Sequence, residues 1–207
     1  MGNLRSGRAG RAAFVCCCAV VVLQAQTTTT VGSFNGTNGA FPSAIIQGAN
    51  GNFYGITQGT NKAGTVFEMT SSGTITALYT FNPPTTILTL MQAKDGNLYG
   101  TTNSDGSSGL GTIFRLTPGG TITVLHQFSN FEGGDPYGPM IQGTDGNFYG
   151  TTSQGGPGSG PNIGQGTIFQ FTAGGTLTVI YGFAGPDGAF PRGPLLQAKD
   201  GNFYGIT

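Results

Sequence analysis

The chain has 207 residues, of which 39 are glycine, 8% are charged, one is histidine and none is tryptophan. Charge this sparse, with no basic cluster, excludes a surface built for nucleic acid or anionic lipid. Glycine at this density excludes long helices and suits many short strands joined by tight turns.

At the N-terminus, Arg5, Arg8 and Arg11 precede an apolar run from Ala12 to Leu23, and Gln24-Ala25-Gln26 and four threonines follow. This is the layout of a secretory signal peptide, residues 1–25, cleaved after Ala25. A membrane anchor is the rival reading, but a run of 12 residues falls short of the roughly 20 a spanning helix needs. Cys16, Cys17 and Cys18 all lie inside this run, and none follows the small residue that lipoprotein signals place there. The expected mature chain, residues 26–207, therefore has no cysteine, which excludes disulfides, thiol catalysis and cysteine metal sites from it. It keeps Lys62, Lys94, Arg115, Arg192 and Lys199 against eight acidic residues, a net charge of −3. The expected destination is secreted or cell surface, extracellular or periplasmic, with no membrane insertion after signal cleavage.

Beyond the leader one phrase returns four times: Asn50-Gly51-Asn52-Phe53-Tyr54-Gly55, then residues 95–100, 145–150 and 200–205. Its first glycine recurs at spacings of 45, 50 and 55 residues. A second phrase, Gly64-Thr65-Val66-Phe67, follows the first copy and returns at 111–114 and 166–169. Two linked phrases in fixed order define an internal repeat.

Each unit reads as four strands, a to d. Strand a is an apolar run ending in glutamine, such as Met140-Ile141-Gln142 or Leu195-Leu196-Gln197, and the Asp-Gly that follows signals a two-residue hairpin. Strand b carries Asn-Phe-Tyr-Gly, and strand c carries Gly-Thr-Ile-Phe. A turn such as Pro118-Gly119-Gly120 leads into strand d, where Ile122, Val124, His126 and Phe128 alternate and are expected on one face. Full units are expected at about residues 43–81, 88–128 and 138–183, with partial strands at 28–34 and 193–207, 15 strands in all.

Short antiparallel units with apolar residues on both faces bury themselves by stacking, so the expected fold is all-β, a β-propeller-like array of four-stranded blades. The last strands stop where a further loop is due. The expectation is a fragment of a longer propeller, with further repeats or an anchor missing at the C-terminus; a closed four-blade ring with one defective blade is the alternative.

Three linked motifs, Asp-Gly-Asn-Phe-Tyr-Gly-Thr-Thr, Gly-Thr-Ile-Phe-x-x-Thr-x-Gly-Gly and a strand ending Tyr-x-Phe before a Gly- and Pro-rich loop, cover roughly residues 28–207. In them the chain resembles the bacterial GloVer-type tandem-repeat family, whose members carry interchangeable C-terminal surface anchors. The resemblance implies an exported or surface-displayed propeller-like protein and supplies no catalytic residues.

In such a strip the b-to-c loops and the links between blades share one end. The b-to-c loops vary most in length (58–63, 103–110 and 153–165), so this end is the expected binding face. The repeated Asp95, Asp145 and Asp200 read as turn residues rather than calcium ligands, since no convergent Asp-x-Asp-x-Asp loop is present. His126 aligns with Tyr79 and Tyr181 and reads as a packing position; with no second histidine, a histidine triad or zinc site has no partner to draw on.

The links from Phe34 to Pro42, Phe128 to Pro136 and Phe183 to Pro191 are each eight residues apart. They align Asn38 with Glu132 and Asp187, Phe41 with Asp135 and Phe190, and Ser43 with Tyr137 and Arg192. Departures from a repeat are candidates for function. Phe131, Glu132, Asp135, Tyr137, Asp187 and Arg192 are therefore the candidate ligand-binding residues, for an extracellular glycan or protein. No catalytic residue, metal ligand or cofactor is assigned. The rivals are a propeller-type hydrolase or lyase on polysaccharide, with Glu132 and Asp135 as its carboxylates, and a purely structural envelope component.

Overall fold

A computed structural model describes residues 29–59, 63–82, 85–157 and 165–207. The expected signal peptide lies outside the described residues. Blade 1 pairs β1 (Pro42–Gln47), β2 (Phe53–Thr57), β3 (Thr65–Met69) and β4 (Ile75–Thr80) in that order. Blade 2 repeats the pattern with β5 (Ile87–Gln92), β6 (Leu98–Thr102), β7 (Thr112–Leu116) and β8 (Ile122–Gln127). Blade 3 holds β9 (Ile141–Gln142), β10 (Phe148–Thr152), β11 (Thr167–Phe171) and β12 (Leu177–Gly182), and β13 (Leu196–Gln197) pairs with β14 (Phe203–Tyr204) as the first half of a fourth. Every pairing is antiparallel. The fold is all-β and propeller-like, and among the described residues there is no helix.

The core lies between blades rather than within them. One buried cluster joins Tyr54, Ile56 and Val66 of blade 1 to Leu98, Phe114 and Leu116 of blade 2. A second joins Tyr99 and Ile113 of blade 2 to Phe148, Phe169 and Phe171 of blade 3. Three contacts recur at the interfaces, and all three meet between blades 2 and 3. The phenylalanine after strand d meets the strand-c phenylalanine of the next blade, with ring centroids at 4.9 Å for Phe34/Phe67, 5.1 Å for Phe81/Phe114 and 5.4 Å for Phe128/Phe169. The strand-b tyrosine stacks on the strand-b phenylalanine that follows it, at 4.4 Å for Tyr99/Phe148 and 4.1 Å for Tyr149/Phe203. Such pairs contribute about 0.5–1.5 kcal/mol each beyond burial.

The third contact explains the glutamine that ends strand a. Gln142 Nε2 donates to the Gly146 carbonyl of its own turn (2.9 Å), while its Oε1 accepts the Lys94 backbone N–H of the preceding blade (2.9 Å). Gln92 and Gln197 repeat the clasp on Ala49 and Thr144. The strand-b glycine also has a packing reason: a Cβ on Gly55, Gly100 or Gly150 would sit 2.4–2.5 Å from the ring of Phe67, Phe114 or Phe169 across the sheet.

Three expectations change. The Asp-Gly turn is not a two-residue hairpin: Gly96 N–H bonds back to Ala93, Ala93 N–H bonds forward to Asn97, and Gly96 takes φ 83°. This is the longer hairpin with glycine at its left-handed position. Strand d does not keep one face. Phe114 pairs with Val124 and Ile113 with His126, so Leu125 is an extra, bulged residue, as are Leu78 and Ile180 in their blades. The bulge turns the strand over: Ile122 packs toward blade 1, whereas His126 and Phe128 contact Phe171 and Phe169 of blade 3. Finally, residues 29–35 form no strand, although Phe34 holds the place of Phe81 and Phe128. The strand c that would pair with this segment is not among the described residues.

Candidate functional site

The a-to-b turns form an ordered rim at one end. Asp145 Oδ1 accepts the Asn147 N–H, and its Oδ2 accepts from the Asn147 amide (2.8 Å) and the Tyr149 hydroxyl (2.8 Å). Asp95 and Asp200 do the same. The Tyr149 hydroxyl, then the Asn147 donors, hold the Asp145 carboxyl below its usual range. At Asp95 burial works against ionisation, but Asn97, Tyr99 and the Arg115 charge together outweigh it and its pKa is lowered. In the first repeat Asn50 stands in the aspartate's place and Glu68 on β3 supplies the carboxylate, accepting from Asn52 and Tyr54 at 2.9 Å each. Burial, and then the neighbouring carboxylate, raise the pKa of the Tyr54, Tyr99 and Tyr149 hydroxyls.

The opposite end carries the links and b-to-c loops, locked together by backbone bonds. Asp135 N–H donates to the Leu110 carbonyl of blade 2 (2.9 Å), and its own carbonyl accepts Ser153 N–H of blade 3 (3.0 Å). Phe41 accepts Gln58 N–H, and Phe190 donates to the Gln165 carbonyl. This pivot residue has positive φ in all three eight-residue links: Phe41 55°, Asp135 52° and Phe190 53°. Aspartate tolerates the left-handed region and phenylalanine does not. Yet Phe41 and Phe190 are 66% and 54% exposed as residues.

The structure brings the candidate residues to this end but assigns several of them to the loops. Glu132 Oε2 accepts Ser129 N–H (3.0 Å) and Oγ–H (2.7 Å), closing the link turn. Asp187 caps the equivalent turn at Ala184 (3.0 Å) and accepts from the Tyr181 hydroxyl; Asn38 caps Asn35 (2.9 Å). Asp135 Oδ2 accepts from Ser153 (2.9 Å). The three carboxylates offered as ligand contacts thus hold the loops in shape. Tyr137 and Arg192, equivalent positions of neighbouring links, come together, the guanidinium 5.4 Å from the ring centroid. Phe131 and Tyr137 are exposed.

His126 is packed edge-on against Phe128 (5.5 Å) and near Phe171 (6.1 Å). Its Nε2 lies 3.3 Å from Glu132 Oε2, close enough for an ion pair when protonated but not aligned as a hydrogen bond. Sequence reasoning passed over Phe41 and Phe190, which entered only as the pattern from which Asp135 departs. No sequence signal marked them: each directly precedes a link proline, and a residue in that place is ordinarily extended with negative φ.

Fold and site together define a propeller-like repeat protein with a rigid turn rim and an interlocked loop face. The chain belongs to the Gloeobacter/Verrucomicrobia repeat family, whose model matches residues 19–207. No curated protein matches it in sequence. Among solved structures it is similar to virginiamycin B lyase from Staphylococcus aureus, with 19% identity and a TM-score of 0.59 over 80% of this chain and 48% of that one. It is similar to a gluconolactonase from Xanthomonas campestris at 11% identity and a TM-score of 0.53, over 80% of this chain and 54% of that one. The extracellular domain of a putative hybrid two-component system from B. thetaiotaomicron matches at 11% identity and a TM-score of 0.56, over 80% and 20%. The chain spans about half the length of the lyase and the gluconolactonase.

Proposed function

We propose that this chain is an exported, non-catalytic repeat scaffold that binds a neutral extracellular polysaccharide through aromatic side chains on its link face. The observation that carries this reading is the pair Phe41 and Phe190, bulky and exposed residues in left-handed backbone. Folding alone favours glycine, asparagine or aspartate there, so strain of this kind points to a use outside the fold. Exposed Phe131 and Tyr137 lie at the same end. An aromatic face offers a flat apolar platform to the apolar side of a sugar ring, and a chain with only 8% charged residues suits a neutral polymer better than an ionic partner.

Some propellers of similar shape are enzymes by name. The rings of Phe128 and Phe171 around His126, and the commitment of Glu132 to Ser129, favour binding over acid-base chemistry here. The test is affinity electrophoresis through gels containing soluble β-glucan, xylan or galactomannan. At least one polymer should retard the protein, and Phe41→Ala with Phe190→Ala should weaken that retardation about tenfold or more. Retardation by none of them, or an unchanged double variant, would overturn the reading; product release from any polymer would replace it with an enzyme.

A further inference from the structure

Blade 3 departs from the repeat at two positions that meet. Where two of the eight-residue links carry Phe41 and Phe190 before their proline, the link into blade 3 carries Asp135 before Pro136. Where strand b is followed by Gln58 in blade 1 and Asn103 in blade 2, β10 is followed by Ser153. Ser153 is fully buried, and its backbone N–H donates to the Asp135 carbonyl oxygen (3.0 Å). Its hydroxyl lies within reach of both that carbonyl oxygen (3.2 Å) and Asp135 Oδ2 (2.9 Å). The Phe41 carbonyl also accepts a backbone N–H, from Gln58, but the Gln58 side chain goes instead to Ser43 and the Ile87 carbonyl. The other side of the Asp135–Pro136 bond is held as well. Pro136 is buried, its carbonyl accepts from the buried Thr101 hydroxyl (3.0 Å), and its ring packs so closely on Gly111 that a Cβ there would come within 2.9 Å.

We propose that Asp135–Pro136 is a self-cleaving bond, with the Asp135 carboxylate as nucleophile and Ser153 polarising the carbonyl it attacks. The carbonyl carbon belongs to the same residue as the carboxylate, so attack closes a five-membered ring and no second group has to approach. A lone pair of the carboxylate forms a C–O bond to that carbon. As negative charge passes from the carboxylate to the carbonyl oxygen, the Ser153 hydroxyl shared between them follows it, and the Ser153 N–H is already in place. The C–N bond then breaks. Its electron pair goes to the Pro136 nitrogen, which takes a proton from solvent and leaves as a secondary amine. One water opens the cyclic anhydride left on Asp135, so the net reaction is hydrolysis of one peptide bond, once per chain. Phe41–Pro42 and Phe190–Pro191 share the left-handed backbone but have no carboxylate, and stay intact. Blades 2 and 3 share a buried core and Thr101 holds Pro136, so the cut chain stays assembled while Phe131 and Tyr137 come to lie on separate ends. This inference is independent of glycan binding, which needs no broken bond.

Incubating the purified full chain in mildly acidic buffer, which supplies the proton for the leaving nitrogen, tests it by denaturing electrophoresis and intact mass. Two fragments are expected, one ending at Asp135 and one beginning at Pro136, together heavier than the parent by one water. Size exclusion of the undenatured sample should still show a single assembled species. The folded chain should cleave about tenfold or more faster than the same chain unfolded in urea, which separates a bond set up by the fold from the ordinary acid lability of an aspartyl-prolyl bond. Asp135→Asn should abolish the cut, and Ser153→Ala should slow it about tenfold or more, each with its circular dichroism unchanged. The urea comparison uses the unaltered sequence and decides the matter even where a variant misfolds. A folded chain that stays intact, equal rates folded and unfolded, fragments from Asp135→Asn, an unslowed Ser153→Ala, or breaks at Phe41–Pro42 or Phe190–Pro191 would overturn the proposal.

Discussion

The pivot residue of the links allows a comparison in which the usual order of two small residues should invert. Phe190→Ala and Phe190→Gly both remove the ring, so its lost contacts cancel between them. At an ordinary position alanine is the more stable by about 0.5–1 kcal/mol, because glycine has more backbone freedom to lose. At the φ of 53° held by Phe190 an L-residue costs about 1–2 kcal/mol, and glycine is free of that cost. Subtracting the two leaves Phe190→Gly more stable than Phe190→Ala by about 0.75 kcal/mol at the centre of these ranges, or about 1.5–3 °C in Tm for a chain of this size. The same inversion is expected at Phe41, with φ 55°. Urea unfolding of the four variants at equal protein concentration reads it directly. Alanine equal to or better than glycine at both positions would refute the claim that the links store strain, and with it the main support for the loop face.

The clasp should be visible as coupling between blades: Gln142→Ala removes two neutral hydrogen bonds and should lower unfolding free energy by about 1–2 kcal/mol, whereas no change in the urea midpoint would make the clasp incidental. The turn carboxylates predict an acid limb. Hydrogen bonds from Tyr149 and Asn147, and from Asn202 and Tyr204, depress the pKa values of Asp145 and Asp200, so their stabilisation is complete above the unfolded value of about 3.9 and is lost as pH falls through the lower folded values. Asp145→Asn should flatten the dependence of the urea midpoint on pH below about 4; an unchanged slope would place the acid sensitivity elsewhere.

How much was legible depended on how local the cause was. The four-strand unit could be read because its signals lie within a few residues: the Gly after Asp95 or Asp145, and the Phe-Tyr-Gly-Thr run of strand b. The bulge at Leu125 was not, since it shows only in the pairing of β7 with β8 and Leu125 looks like an ordinary strand residue. The glutamine ending strand a was noticed as a marker, but its partner lies 48 residues away for Gln142 and Lys94. Glu68 substituting for the missing aspartate of the first turn was hidden for the same reason, at a separation of 16 residues from Asn52. At the candidate site, alignment of the links matched Tyr137 with Arg192, which the structure brings together. It favoured carboxylates that cap turns over phenylalanines whose importance lies in their backbone angle, which no residue name displays.

Placing the core between blades changes what counts as the module of growth. Each joint is specified by a short kit: a phenylalanine after strand d, a tyrosine in strand b and a glutamine closing strand a. Each contact of the kit straddles two blades: Phe81 covers Phe114 across the b-to-c loop of blade 2, and Gln142 reaches back to Lys94. A duplication therefore splits some native contact wherever it is cut, and rebuilds an equivalent one from the repeated residues only when the insert carries a whole number of four-strand units. Lengthening such an array by recombination should tolerate any crossover site that keeps this count and fail at any that does not.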